Sequence, residues 1–177
     1  MNHFEIENCL DSMMILCDTR EQPSKRSEFR YKSFGIPYRR QKLNYGDYAY
    51  NFSVNGKEFF PEDVPIGADV VIERKMDLEE LSMCFTSGRD RFTREFERIK
   101  EANARVYLLV EDGSYEKILH HRYKTQYHEK AFLASLLAWQ ARYDCKVVFC
   151  QKEITGQLIK EILYRELKER LEQGHYG

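Results

Sequence analysis

The segment VVIERKMDLEEL, residues 70–81, changes from a β-branched apolar run to one acid and two bases within six positions. Residues 70–72 predict a buried strand, because short runs of valine and isoleucine are typical of strands that are covered on both faces. Side chains alternate along a strand, so Glu73 and Lys75 share one face of the sheet while Arg74 points to the other. The segment therefore sets an acid beside an ammonium group at the end of a buried strand.

A second acid precedes this strand. Asp47 follows Gly46, a residue that permits a sharp turn or a close backbone approach. The dipeptide Asn55-Gly56 predicts a two-residue hairpin turn further on, because both central positions of such a turn need positive φ. A hairpin within the 26 positions that separate Asp47 from Glu73 would return the chain to the neighbouring strand. We therefore expect the two carboxylates to meet.

Two carboxylates that meet repel each other unless a cation lies between them. Oxygen ligands with open water positions suit Mg²⁺ or Mn²⁺, so Asp47 and Glu73 are predicted metal ligands. Such an ion can polarise a phosphoryl oxygen and lower the pKa of an attacking water. Lys75 would orient or deprotonate that water, or hold the scissile phosphate as a point charge. A purely structural ion pair between Glu73 and Lys75 is the commoner arrangement in proteins, and Asp47 is what favours the metal site.

Length and composition limit the class of protein. A chain of 177 residues that is 42% hydrophobic is long enough for one sizeable core, so a single domain over residues 1–177 is expected. Charged residues interrupt the first ten positions, and no apolar run approaches the roughly 20 residues of a membrane helix. A soluble, intracellular, cytoplasmic protein without membrane contact is expected. The five cysteines form no CxxC pair and are predicted to be reduced core thiols.

The net charge of −1 argues against a protein that simply coats nucleic acid. The distribution of charge is uneven, because residues 20–42 contain eight Lys or Arg against two acids, whereas residues 58–80 contain eight acids against two bases. A basic face beside an acidic pocket would suit a protein that holds a polyanion and concentrates divalent cations. An ordinary mixed surface is the alternative.

Strand and helix patterns alternate along the chain. The predicted strands cover residues 13–17, 48–54, 57–60, 70–73, 106–110 and 146–150. The predicted helices cover residues 24–34, 78–85, 89–102, 129–143 and 154–171. Phe132 and Trp139 lie on one stripe of their helix and fit the core better than a base-stacking platform. This alternation predicts a three-layer α/β/α domain with a central mixed sheet, in which the amphipathic helix 154–171 packs on the core.

Five segments of the chain, taken in order, resemble the nuclease domain of the XPF-type structure-specific endonucleases. They are CDTRE at 17–21, GDY at 46–48, VIERK at 71–75, SGR at 87–89 and LLVE at 108–111. The pattern of that family is GD followed by ERKxxxD, within the broader PD-(D/E)xK nuclease superfamily. The resemblance covers roughly residues 13–150 and implies a restriction-endonuclease-like fold.

The resemblance also implies an activity and a site. A relative of this family would be a Mg²⁺- or Mn²⁺-dependent DNA endonuclease that cuts branched or distorted duplexes in DNA repair or recombination, usually as a homodimer or heterodimer. Asp47 and Glu73 would bind the metal, and Lys75 would serve the water or the phosphate. Arg20 and Arg89 would contact DNA. The residues that would flank the site are Asp18, Arg20, Glu21, Arg74 and Glu79.

Two departures from the family pattern affect these expectations. The acid that the family has four residues after the lysine is here Glu79, and whether Glu79, Asp77 or neither contributes stays open. Relatives commonly carry a tandem helix-hairpin-helix region, and the 27 residues after Cys150 are too few for one. The preference for a DNA structure would then be reduced or supplied by another chain.

Several charged residues have two interpretations. Arg20 could pair with Glu73 or Asp47, or it could contact phosphate, and the matching DTRE segment favours phosphate. Arg89, like its neighbours Arg91 and Arg94, could contact DNA at a helix N-terminus or belong to a solvated helix face.

The histidines and the function class also leave alternatives. His120, His121 and His128 lack metal-ligand spacing, and an exposed basic loop is expected there. For the whole chain, the alternative to an endonuclease is a non-catalytic DNA-binding or scaffolding subunit that keeps a nuclease fold.

Overall fold

Strands and helices alternate along residues 1–176, the part of the chain that this computed structural model describes. The strands are β1 (Met14–Cys17), β2 (Tyr38–Arg40), β3 (Tyr48–Asn51), β4 (Ser53–Val54), β5 (Lys57–Glu58), β6 (Val70–Lys75), β7 (Arg105–Glu111) and β8 (Lys146–Cys150). The α-helices are α1 (His3–Asp11), α2 (Lys25–Lys32), α3 (Leu78–Cys84), α4 (Arg89–Glu101), α5 (Tyr115–Leu119), α6 (Glu129–Tyr143) and α7 (Thr155–Glu172), and a 3-10 turn covers Lys152–Ile154.

Six of the strands form one mixed sheet in the order β2-β1-β3-β6-β7-β8. Strands β6, β7 and β8 are parallel, β3 runs antiparallel to β1 and β6, and β1 pairs with β2 in parallel. The central strand β6 is buried along almost its whole length, as expected for a strand with helices on both faces. The predicted three-layer α/β/α domain with a central mixed sheet is confirmed.

Each face of the sheet has its own apolar core. The core on one face includes Phe96, Phe132 and Trp139 and packs against α3, α4 and α6. The core on the other face includes Tyr48 and Leu163 and packs against α1, α2 and α7. The prediction that Phe132 and Trp139 are core residues is confirmed. Because the two cores are separate, alternate residues of β6 lead into different environments, which matters for the charged end of that strand.

The predicted hairpin turn is confirmed, but the predicted strand 48–54 is wrong as one continuous element. Asn55 and Gly56 have φ values of 52° and 75° and connect the two-stranded sheet formed by β4 and β5. The chain leaves the main sheet at Asn51, whose side-chain oxygen accepts the N–H groups of Phe52 and Phe60 at 3.0 and 2.9 Å. These side-chain hydrogen bonds take the place of backbone hydrogen bonds to a neighbouring strand, so β3 and β4 are separate strands.

Three elements were missed by the sequence analysis. Helix α1 begins with a capping box formed by Asn2 and Glu5, but its apolar periodicity is weak. Strand β2 has three polar or aromatic residues and is recognisable only by its parallel pairing with β1. Helix α5 has five residues, too few for a periodic pattern. Strand β6 also continues two residues beyond its predicted end, because its pairing with β7 extends to Lys75 opposite Val110.

The two oppositely charged segments contact each other. Arg39, on β2, pairs with Glu58 at 2.8 Å and with Glu62 at 2.9 Å. Part of the charge of each segment is neutralised by the other in this region, which favours the alternative of an ordinary mixed surface there.

The remaining sequence expectations concern cysteines, histidines and membranes. The cysteines are free, and all except Cys84 are buried. His120, His121 and His128 are all exposed, so the exposed loop is confirmed. His121 contacts Glu129 and the carbonyl of Thr125, and His128 accepts the N–H of Lys130 at the start of α6. Within residues 1–176, none of the helices combines the length and the apolar character that crossing a membrane requires.

Helices α2 and α7 lie close together at Gly156. A Cβ atom on Gly156 would overlap the carbonyl oxygen of Arg30 and lie 2.8 Å from Cβ of Ser33. We expect Gly156→Ala to lower the free energy of unfolding by about 2 kcal/mol through overpacking. For a chain of this length the melting temperature should fall by roughly 4–8 °C, measured by thermal unfolding.

Gly67→Ala is the matched control, because the nearest atoms to a Cβ at Gly67 are 3.4 Å away. Equal melting temperatures for the two variants would contradict the close approach of α2 and α7.

Candidate active site

A cleft opens where β3 begins and β6 ends. Asp47 immediately precedes β3, and its backbone N–H donates to the carbonyl of Ile72 at 2.8 Å. The N–H of Arg74 donates in turn to Asp47 Oδ2 at 2.7 Å. This antiparallel pairing sets Asp47 beside the last residues of β6, and Asp47, Glu73 and Lys75 all line the same cleft. The two acids that the sequence assigned to neighbouring strands therefore lie together.

Glu73 and Lys75 form a close pair on one face of β6. Lys75 Nζ lies 2.7 Å from Glu73 Oε1 and 5.1 Å from the centre of the Phe92 ring, and both charged residues are more than nine-tenths buried. Burial lowers the pKa of Lys75, but the negative charges around it, above all Glu73, raise that pKa above its ordinary value. Lys75 is therefore a fixed ammonium group, which favours a role on phosphate over deprotonation of water.

The surroundings of Asp47 disfavour the ionised form of its carboxyl group. Burial, followed by repulsion from Glu73, raises the pKa of Asp47 to about 8, against the opposing effects of Lys75 and the Arg74 N–H. A cation between the carboxylates would reverse this effect, because its charge favours the ionised form of both acids. A metal ion between the two acids would therefore stabilise the pair.

The donor set of the cleft fits Mg²⁺ or Mn²⁺. No hydrogen bond from residues 1–176 reaches Asp47 Oδ1 or Glu73 Oε2, so each carboxylate keeps one oxygen available. Among the same residues, no group of three or more His, Cys, Asp or Glu is arranged to hold a metal. Mg²⁺ is commonly held by one or two carboxylates while water and substrate phosphates complete its coordination.

The cleft has a volume of about 400 Å³ and is lined by more residues than the sequence analysis named. Three of the predicted flanking residues lie in its wall, namely Arg20, Glu21 and Arg74. Two acids of the wall were missed, namely Glu80 and Glu95, and the wall also contains Arg91, which the sequence named beside Arg89 as a possible DNA contact. The missed residues belong to α3 and α4, whose rotation relative to the sheet cannot be derived from local sequence.

Asp18 lies behind the cleft and does not reach it. Its side chain is fully buried, accepts the N–H of Leu43 at 2.9 Å, and pairs with Arg20. Arg20 also lies 3.5 Å from Glu95, so its acidic partners are Asp18 and Glu95 and not Asp47 or Glu73, and the favoured contact with phosphate stays a prediction. Almost half of the Arg20 side chain remains exposed at the cleft.

Arg74 connects the cleft to a buried charge network on the opposite face of β6. Its guanidinium lies 3.1 Å from Glu111 and 3.5 Å from Glu21. Burial raises the pKa of Glu21, but hydrogen bonds from Tyr48 and Tyr31 and nearby arginines lower that pKa below its ordinary value. Glu111 belongs to the LLVE segment of the family resemblance, from which no charge network was predicted. The network fixes the end of β6 from behind.

The acids after Lys75 have separate tasks. Asp77 caps α3 by accepting the N–H of Glu80 at 2.8 Å. Glu79 accepts the N–H of Lys124 at 2.9 Å and does not line the cleft. Glu80 lines the cleft instead. Of the alternatives that the sequence left open, neither Asp77 nor Glu79 reaches the candidate metal ligands.

Arg89 is also directed away from the cleft. Its guanidinium lies 5.9 Å from the centre of the Trp139 ring, within the helical layer, whereas Arg91 lines the cleft. Residues two positions apart on a helix point in nearly opposite directions, so only one of these arginines can face the cleft. Arg91 is therefore the arginine of this pair in the cleft wall, and the contact of Arg89 with DNA stays a prediction.

The three-layer domain and the Asp, Glu and Lys at the end of its central strands define a protein of the XPF nuclease fold. The chain belongs to the ERCC4 domain family, whose model matches residues 17–162.

Solved structures agree with this fold. XPF from Aeropyrum pernix matches with a TM-score of 0.61 and 18% sequence identity, over 92% of this chain and 69% of that chain. XPF from Aeropyrum pernix in complex with DNA matches with a TM-score of 0.60 and 20% identity, over 88% of this chain and 65% of that chain. Comparison with curated proteins gives no significant match. At these identities the likeness establishes the fold, and about a third of each matched structure lies outside it.

Proposed function

We propose that this chain is a Mg²⁺- or Mn²⁺-dependent endonuclease that hydrolyses phosphodiester bonds in branched or distorted DNA. The observation that carries the proposal is the cleft in which Asp47 and Glu73 each keep one free oxygen beside the ammonium group of Lys75. Membership of the ERCC4 domain family supports a nuclease, and the DNA-bound XPF relative supports DNA as the substrate. The nuclease domain would extend over residues 1–177.

The residues of the cleft would have different roles in hydrolysis. A bound Mg²⁺ or Mn²⁺ would supply Lewis-acid polarisation of the phosphoryl oxygen and a more acidic water. Asp47 and Glu73 would hold that ion through their free oxygens, while the Arg74 N–H keeps Asp47 in one orientation. Lys75, held by Glu73 and by the ring of Phe92, would place its positive charge on a non-bridging oxygen of the scissile phosphate.

Binding of the DNA backbone would depend on local positive charge, because the whole chain has a net charge of −1. Arg20 and Arg91 lie in the wall of the same cleft and are the candidates for contact with the phosphates next to the scissile bond. The family resemblance also implies a homodimer or heterodimer. Leu119 on α5 and Leu137 on α6, both about half exposed, offer apolar surface for such an assembly.

One observation favours the alternative of a non-catalytic DNA-binding or scaffolding subunit. The acid at the family's last motif position, Glu79, bonds to Lys124 outside the cleft. A scaffold, however, has no need of two repelling carboxylates and a buried lysine in one cleft. We therefore place the endonuclease first.

A cleavage assay separates the two functions. The purified protein is incubated with end-labelled flap, fork and linear duplex DNA in the presence of Mn²⁺. We expect nicks in the flap and fork substrates, fewer in the linear duplex, and none after addition of a chelator. A folded protein that binds these DNAs but nicks none of them, at any Mn²⁺ or Mg²⁺ concentration, would identify the scaffolding subunit instead.

A further inference from the structure

Both backbone groups of Gly46, the residue before Asp47, are bound by charged side chains. The Gly46 N–H donates to Glu95 Oε1 at 2.9 Å, and the Gly46 carbonyl accepts from Arg20 Nη2 at 3.2 Å. Arg20 Nη2 and Glu95 Oε1 are themselves 3.5 Å apart. We call this closed arrangement of Arg20, Gly46 and Glu95 the Gly46 clamp.

The turn that the clamp holds is also packed closely against β6. Gly46 has a φ of +73°, and a Cβ there would lie 2.7 Å from Cβ of Val71 on β6. Asp47 is bound to β6 through the carbonyl of Ile72 and the N–H of Arg74. The turn is therefore held by β6 on one side and by the clamp on the other, and Asp47 is the next residue along the chain.

Both charged members of the clamp are held in place by further contacts. Arg20 pairs with the fully buried Asp18. Glu95 projects from α4, has 13% of its side chain exposed, and pairs with Arg98 through Oε2 at 3.6 Å. One oxygen of Glu95 thus faces the Gly46 N–H and the other faces an arginine, which is the arrangement of a positioning group rather than of a metal ligand.

We propose that Glu95 is a positioning residue that fixes the turn bearing Asp47 through its hydrogen bond to the Gly46 N–H. Helix α4 is thereby joined to the candidate metal site, and the orientation of the Asp47 carboxylate depends on that hydrogen bond. This inference rests on the proposed function for its assumption that Asp47 binds a metal ion. Partners that orient metal ligands in this way typically change metal affinity by about 10–100-fold when they are removed.

Two substitutions at Glu95 distinguish the effect of side-chain length from the effect of side-chain charge. Glu95→Gln keeps the length of the side chain and an oxygen that accepts the Gly46 N–H, but it removes the charge. Glu95→Asp keeps the charge, but it is one methylene too short for the bond. Glu101→Asp is the matched control, because Glu101 is exposed at the end of the same helix.

Two measurements are made on each variant: amide hydrogen exchange at Gly46 in the metal-free protein, and Mn²⁺ affinity by isothermal titration calorimetry. We expect Glu95→Asp to speed exchange at Gly46 and to weaken Mn²⁺ binding by about 10–100-fold. Glu95→Gln and Glu101→Asp should match the wild type in both measurements. The exchange measurement needs no metal and no activity.

The outcomes distinguish the clamp from the proposed function. If Glu95→Gln weakens Mn²⁺ binding and Glu95→Asp does not, the charge of Glu95 is what matters, and the positioning role is overturned. Unchanged Gly46 exchange in Glu95→Asp would also overturn it. If the wild type shows no Mn²⁺ binding while Gly46 exchange follows the expected pattern, the proposed metal site fails and the hydrogen bond that forms the clamp stands.

Discussion

Replacement of Asp47 with asparagine is expected to abolish Mn²⁺ binding and to reduce DNA cleavage by about a thousandfold or more, with the fold intact. Asparagine keeps an oxygen that can accept the Arg74 N–H, which Asp47 now accepts at 2.7 Å. It removes one of the two charges that would hold the ion, and it also removes the repulsion between Asp47 and Glu73. The metal-free variant should therefore be at least as stable as the wild type.

Thermal unfolding in the presence of Mn²⁺ measures this effect without any DNA. At an Mn²⁺ concentration about 100 times Kd, binding should stabilise the wild type by about 2.7 kcal/mol, or roughly 5–10 °C in Tm. The Asp47→Asn variant should show no such shift. Asp77→Asn is the matched control, because Asp77 caps α3 outside the cleft and its variant should keep the shift. An equal shift in the wild type and in Asp47→Asn would remove Asp47 from the metal site.

The fold and the centre of the cleft could be predicted because they depend on local patterns. The apolar run before Glu73 marks a strand that is buried on both faces, and the period of two along that strand sets Glu73 and Lys75 together. In the structure, Arg74 points to the opposite face, where it pairs with Glu111 and Glu21. The hairpin signal at residues 55–56 explained how the chain returns from Asp47 to Glu73.

The walls of the cleft could not be predicted, because they depend on how helices are rotated on the sheet. Glu95 is 49 positions from the Gly46 N–H that it binds, and no local pattern connects them. Arg89 and Arg91 are equally basic in the sequence, and only the packing of α4 decides which of them faces the cleft. Asp18 matched a family segment but is buried behind Arg20, since its carboxylate satisfies the N–H of Leu43.

Arg74 joins the two sides of β6 at the candidate site. Its backbone N–H binds Asp47 on the cleft side, and its guanidinium is held by Glu111 and Glu21 on the other side. Displacement of the guanidinium would shift the peptide that orients Asp47. The buried charge network and the cleft therefore meet at Arg74 and Glu21, which both line the cleft.

Replacement of Lys75 with methionine should separate catalysis from metal binding. Methionine keeps an apolar stem of similar length against Phe92 and removes the ammonium group that lies 2.7 Å from Glu73. We expect the cleavage rate to fall by about 10²–10³-fold, because one preorganised positive charge on the scissile phosphate is lost. Mn²⁺ affinity should stay the same or increase, because Glu73 loses its cationic partner and keeps its negative charge for the ion.

Single-turnover cleavage and Mn²⁺ titration on the same preparation measure these two quantities. Lys100→Met, on the exposed side of α4, is the matched control and should leave the cleavage rate unchanged. An undiminished cleavage rate in Lys75→Met would contradict the proposed role of Lys75 in stabilising the scissile phosphate. Loss of Mn²⁺ binding in that variant would mean that Lys75 acts by orienting Glu73. Because Asp47→Asn is expected to remove metal binding and Lys75→Met is expected to retain it, the pair of variants would assign the carboxylates and the ammonium group to different steps of one reaction.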